Sequence, residues 1–136
     1  MAGKIVADQI EHSTAGSLDT SYVVNGSAKA WVNFNGTGTV AIRGSMSVSG
    51  LVDNGQGDYT VNFTNAFGAA DYTVSGTASG NADATRGYTG FMAADHSNAP
   101  TASALRTKFG LGSNAVGNGQ LYDSVYSTIL NHGDLA

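Results

Sequence analysis

From Ala30 onward, apolar and polar residues alternate with a period of two through a succession of short runs. Ala30, Val32 and Phe34 alternate with Trp31 and Asn33, the pair Asn35-Gly36 follows, and Val40 and Ile42 resume the alternation. Successive side chains of a strand point to opposite faces, and Asn-Gly tolerates positive φ, so this stretch predicts a β-hairpin. Ser45, Ser47 and Ser49 then alternate with Met46 and Val48, which predicts a half-buried strand ending at Leu51-Val52. Asp53 to Asp58 is a run of turn formers, and Tyr59, Val61 and Phe63 beyond it share one face of another strand. The word Asp-Tyr-Thr-Val returns at Asp71 to Val74 and predicts a second strand of similar design.

The second half of the chain is read in the same way. Ser75 to Gly87, rich in Gly, Ser, Ala and Asn, predicts an exposed loop, and Tyr88 to Ala93 a strand. Asp95 to Pro100 interrupts the pairing, because proline has no N–H to give to a ladder. Thr101 to Thr107 fits a strand or a helical turn, with strand favoured, and the four glycines of Gly110 to Gly119 predict loop. In Tyr122 to Leu130, Val125 and Ile129 alternate with Tyr126, Thr128 and Leu130, so both faces are apolar and both call for cover. Seven or eight short strands with no helix predict an all-β fold, an antiparallel, jelly-roll-like β-sandwich over residues 27–136. Its expected core is Phe34, Val40, Ile42, Val61, Phe63, Val74 and Ile129.

Residues 1–26 do not follow this pattern. Ile5, Val6, Ile10 and Leu18 fit neither a long helix nor a strand, and Ser13 to Ser17 breaks the one helical turn they suggest. This is the reading of an extended N-terminal arm, either a disordered terminus or a segment ordered against a neighbouring chain.

Composition narrows the function. Of 136 residues, 19 are Gly, 12% are charged and 41% are hydrophobic, with a net charge of −4. That is too apolar for disorder, and a surface of Ser, Thr, Asn and Gly suits contact with other protein chains. Six scattered basic residues make no patch to neutralise phosphates, so no nucleic-acid partner is expected. With no Cys there is neither a disulfide frame nor a thiolate metal site. No apolar run is long enough for a membrane span and the first residues lack a signal-peptide core, so a soluble protein without membrane insertion is expected.

Chemistry finds little footing. Asp53 to Asp58 superficially resembles a calcium loop but lacks the alternating carboxylates and closing Glu of an EF-hand. His12, His96 and His132 have no metal-ligand spacing, no Gly-x-Ser-x-Gly elbow occurs, and the scattered acids offer no paired carboxylates for glycoside cleavage. No enzyme, cofactor or metal is expected.

Two longer words carry a resemblance. Lys29-Ala-Trp-Val-Asn-Phe-Asn-Gly-Thr-Gly38 and Asp53-Asn-Gly-Gln-Gly-Asp-Tyr-Thr-Val-Asn-Phe-Thr64, with the weaker Thr101 to Arg106 and Asp123 to Ile129, resemble a family of small virion proteins of tailed, often aquatic, bacteriophages, usually described as tail fibre or structural proteins. The resemblance implies a virion component without catalytic residues: a short fibre or fibre tip anchored by the arm, or a capsid decoration protein that stabilises the shell. Ile5, Val6, Ile10 and Leu18 would then anchor the chain to other virion proteins of the tail, neck or capsid. Loops would meet a host surface glycan or protein, with Arg86, Tyr88, Asp95, His96 and Asn98 as receptor-binding candidates. Low surface charge, a last strand apolar on both faces and an unpartnered arm point to a homo-oligomer. A trimer is implied by the resemblance alone.

Overall fold

The computed structural model describes residues 3, 5–79, 89–112 and 120–136. Among these, β1 (Gln9–His12) and β2 (Gly16–Asp19) form a small hairpin that leads into α1 (Thr20–Gly26). Nine further strands follow: β3 (Ala30–Asn35), β4 (Ala41–Met46), β5 (Val48–Gly55), β6 (Asp58–Phe63), β7 (Thr73–Ala78), β8 (Thr89–Ala94), β9 (Ala104–Gly112), β10 (Gln120–Leu121) and β11 (Ser127–His132). They make two antiparallel sheets packed face to face, an all-β sandwich. One sheet has the order β4-β3-β11-β7; in the other, β5 pairs with β6, β6 with β9, and β9 with β8. β10 pairs with β9 at Gly110 and Leu111, beyond the point where β6 begins, so it prolongs the line of β6.

The expected hairpin at Asn35-Gly36 is present as β3 and β4. The strand expected through Ser45 to Val52 is two strands in different sheets, and the chain changes sheet at Ser47, whose φ is 56°. That left-handed backbone is uncommon outside glycine, and it is pinned here from both sides. Thr64 N–H donates to the Ser47 carbonyl at 2.9 Å, and Asn65 Nδ2 donates to Ser47 Oγ at 3.1 Å.

β6 is the spine of the core. Tyr59, Val61 and Phe63 all point inward from it and are buried. Tyr59 meets Phe34 and Phe109 edge to face, with ring centroids 4.9 and 5.9 Å away, at one end of the sandwich. Phe63 meets Phe67 and Tyr72 at 5.0 and 5.6 Å at the other end. Val32, Leu105 and Ile129 are buried in the same core as Val61, with Leu105 opposite Val61 and Ile129 opposite Val32. Such edge-to-face ring pairs add to the gain from burying aromatic area. The Tyr59 hydroxyl donates to Asp123 Oδ1 at 2.7 Å and has the Gly36 carbonyl as a second acceptor at 3.1 Å, so its polar end is satisfied inside the core.

Several expectations need correction. Ile42 is 42% exposed, because β4 is an edge strand and a register shift between Asn33 and Phe34 disturbs its pairing with β3. Val40 and Val74 are only partly buried against the core. Ser75 to Ala78, expected in a loop, complete β7 and pair with β11. Gly110 to Gly112, also expected in a loop, end β9, whereas 80–88 and 113–119 lie outside the described residues. Tyr126 and Val125 precede β11 and are exposed; on the strand itself Ile129 is buried and Leu130 half-buried on the opposite face. The N-terminal segment carries a hairpin and a helix, capped by Asp19, whose side chain accepts from Ser21 N–H at 2.8 Å.

This burial predicts a contrast. Phe34→Ala should cost roughly 3 to 5 kcal/mol, whereas Ile42→Ala should cost less than about 1 kcal/mol. Urea unfolding of the two variants measures both, and equal losses would mean that the β4 edge is covered.

Candidate functional site

On the outer face of the five-stranded sheet, antiparallel register brings charged residues into one cluster. Leu105, Thr107 and Phe109 of β9 point inward, so Arg106 and Lys108 point out. Lys108 lies opposite Asp58 at the start of β6, and Asp95, just after β8, continues the ladder by donating its N–H to the Arg106 carbonyl at 3.0 Å. Arg106 grips Asp58 with two parallel bonds, Nε to Oδ1 at 2.8 Å and a terminal nitrogen to Oδ2 at 2.9 Å. Its Nε is also 3.6 Å from Asp95, and Lys108 Nζ stands 3.4 Å from Asp95 and 3.8 Å from Asp58. Asn54 at one end reaches Asp58 and Thr60, and Asn98 at the other donates to Asp95 Oδ2 at 2.6 Å. The forked geometry of Arg106 on Asp58 is the strong form of such a pair.

These contacts set the charge state. The Arg106 hydrogen bonds hold the Asp58 carboxyl below the usual aspartate range against the opposing effect of burial. Asp95 is likewise lowered, chiefly by the Asn98 hydrogen bond. The cluster therefore keeps two carboxylates ionised beside two cations, a self-neutralised network.

The receptor-binding candidates divide on this geometry. His96 and Asn98 are exposed on the turn after β8, but Asp95 is buried and committed to Asn98, Ser97, Arg106 and Lys108. Arg86 and Tyr88 lie outside the described residues. Asp58, which in sequence belongs to a loop superficially like a calcium site, serves the ion pairs instead, while Asp53 accepts from Gly55 N–H at 2.9 Å as a turn residue does. Sequence patterning alone does not single out Arg106 and Lys108, although their spacing between Leu105, Thr107 and Phe109 is a signal that both cations face outward.

The four anchoring candidates lie on the N-terminal segment with their side chains out. Ile5 is 94% exposed, Val6, Ile10 and Leu18 are exposed as well, and α1 adds exposed Tyr22, Val23 and Val24 while burying no residue. An open cleft of about 500 Å³ lies where Asn25 of α1 faces Phe67, Tyr72, Asp71 and Asp134. Burial raises the Tyr72 phenol to about 12, and its hydroxyl donates toward the carbonyls of Thr101 and Ala104. Among the described residues no group of three or more His, Cys, Asp or Glu is placed to hold a metal ion, and no helix is long and apolar enough to cross a membrane. No family model, curated protein or solved structure matches the chain.

Both network carboxyls have folded-state values below those of the unfolded chain. The stability they contribute is therefore present above about pH 4 and lost as pH falls through the lowered values. Asp58→Asn should lower stability at neutral pH by about 1 kcal/mol and reduce the fall on acidification. Urea midpoints of both proteins down to about pH 2 measure this; parallel pH profiles would mean that the Asp58–Arg106 pair contributes nothing.

Proposed function

We propose that the protein is a structural component of a tailed-bacteriophage virion, a short fibre or fibre tip anchored by its N-terminal segment and presenting the sandwich for host attachment. The observation that carries this reading is the exposure of Ile5 and Val6 ahead of the hairpin, of Ile10 and Leu18 on it, and of Tyr22, Val23 and Val24 on the helix. Seven large apolar groups on one short segment are ready to dock on another surface, and docking removes them from water. The sandwich has its own core and supplies the rigid body that such an anchor holds. The charged network on its outer sheet is self-neutralised and structural, in keeping with a binding rather than a catalytic role.

A second reading, capsid decoration, is favoured by a different surface. On the outer face of the four-stranded sheet, Met46, Trp31 and Leu130 form one cross-strand row, and Gly44, Asn33, Thr128 and Thr77 form the next. These two uncharged rows suit a domain that lies flat against a shell.

Deleting residues 1–26 should leave the sandwich folded and remove the protein from assembled particles, as read by thermal unfolding and by the protein content of purified virions. Immunogold labelling of intact particles separates the two readings. Label at the tail or at fibre tips supports the fibre, and label over the capsid faces would reject it in favour of decoration.

A further inference from the structure

Beside the charged network, the outer face of the five-stranded sheet carries an apolar shelf. Phe91 of β8 stands opposite Gly110 of β9, and Gly110 stands opposite Leu121 of β10, so the three form one row across the sheet. Phe109, the neighbour of Gly110, points into the core, which places this row on the outer face. A Cβ at Gly110 would come within 2.5 Å of Phe91 Cζ and 2.8 Å of the Gln120 carbonyl oxygen. Glycine therefore lets the ring rest against the backbone of β9, while Phe91 and Leu121 both remain partly exposed. The next row is Ala93, Lys108 and Asp58, and the one after it holds Asp95, Arg106 and Thr60. Within the network the cations lie uppermost: the side chains of Arg106 and Lys108 are 31% and 35% exposed, and those of Asp58 and Asp95 are 11% and 5% exposed.

We infer that this face binds a neutral glycan, a chain of uncharged hexoses, with one sugar ring on Phe91 and its hydroxyls on the Arg106–Asp58–Lys108 network. A hexose has an apolar C–H face and a rim of hydroxyls that both donate and accept, so it matches an aromatic ring next to mixed donors and acceptors. The donors are held in place by their own carboxylates, so little side-chain freedom is lost when a ligand arrives. Charge selects the class. Each cation is already engaged by a carboxylate of the network, so an anionic polymer would have to compete with Asp58 and Asp95, whereas the exposed edges of Arg106 and Lys108 can donate to hydroxyl oxygens without breaking those pairs. The proposal rests on the host-attachment reading, for which it names the surface and the ligand class.

The test is an NMR titration of the ¹⁵N-labelled full chain with neutral oligosaccharide fragments of dextran, mannan and galactan, with dextran sulfate as the charged probe. At least one neutral fragment should shift the amides of Asp58, Phe91, Lys108, Gly110 and Leu121, and added salt should leave that binding unchanged. Phe91→Ala should weaken it about fivefold to tenfold while the fold, monitored through Trp31 fluorescence on the opposite sheet, is kept. Leu121→Ser provides the same readout if Phe91→Ala does not fold. The inference is overturned if no neutral fragment shifts these amides at millimolar concentration, if only dextran sulfate does so and salt abolishes it, or if the folded variant binds as well as the parent. Attachment is judged separately, by whether excess purified protein blocks particle adsorption to host cells. Undiminished blocking by folded Phe91→Ala would reject the shelf and leave attachment standing, and failure of the parent protein to block would reject attachment whatever the oligosaccharides do.

Discussion

The hydroxyl of Tyr59 is the buried point at which distant stretches of the chain meet, and the sandwich is registered around it. Tyr59 itself belongs to the five-stranded sheet, the Gly36 carbonyl to the hairpin turn of the four-stranded sheet, and Asp123 to the link between β10 and β11. Asp123 Oδ1 also accepts from Gly57 N–H at 2.7 Å, and Gly36 N–H donates to the Ser124 carbonyl at 2.8 Å, so the same junction fixes both turns. Gly57 has a φ of 63°, and a Cβ there would lie 2.6 Å from Tyr122 N, so only glycine lets the β5–β6 turn approach the β10 segment this closely. Burial, reinforced by the Asp123 hydrogen bond, pushes ionisation of Tyr59 well above the ordinary phenol range and keeps the hydroxyl a donor. A buried polar group left without partners is costly, so the lock disfavours any register that separates its parts.

The outer surface follows from that inner constraint. With Tyr59 held inward, strand geometry turns Asp58 outward, and the β6–β9 register sets it opposite Lys108 and within the fork of Arg106. The shelf formed by Phe91, Gly110 and Leu121 shares β9 with the ion pairs and lies one row beyond them. A rigid core strand thus positions both the network and the surface beside it, whereas the N-terminal helix buries no residue and Ile10 and Leu18 of the hairpin are exposed. The proposed division into anchor and presenting domain corresponds to this difference in packing.

How much of this could be read from the sequence depended on whether a feature is local. The period-two pattern of Ala30, Val32 and Phe34, and of Tyr59, Val61 and Phe63, identified inward faces correctly because both strands lie inside their sheets. Ile42 has the same pattern on an edge strand, where no neighbour covers it. The alternation of serines ran straight through Ser47, since serine carries no signature of a left-handed corner. Ser75 to Ala78 looked like loop because its residues are small, and the structure gives a reason: a Cβ on Gly76 would clash with the Thr128 carbonyl oxygen, and one on Gly90 of β8 with the Ala78 carbonyl oxygen, so backbones approach too closely there for larger residues. Helix α1 is seven residues long and contains Val23-Val24, leaving the Asp19 cap as its main local sign. The ion network joins residues 48 positions apart through strand register, which local patterning does not reveal.

A double-mutant cycle at Tyr59 and Asp123 shows whether their hydrogen bond holds the sandwich in register. Tyr59→Phe removes the hydroxyl, Asp123→Ala removes its acceptor, and urea unfolding of the two single variants and the double variant isolates their coupling. The coupling energy should be about 1 to 3 kcal/mol, with the double variant losing less stability than the sum of the single losses. Strictly additive losses would contradict it, because the hydroxyl and carboxylate would then contribute independently and the register of the sandwich would have to be set elsewhere.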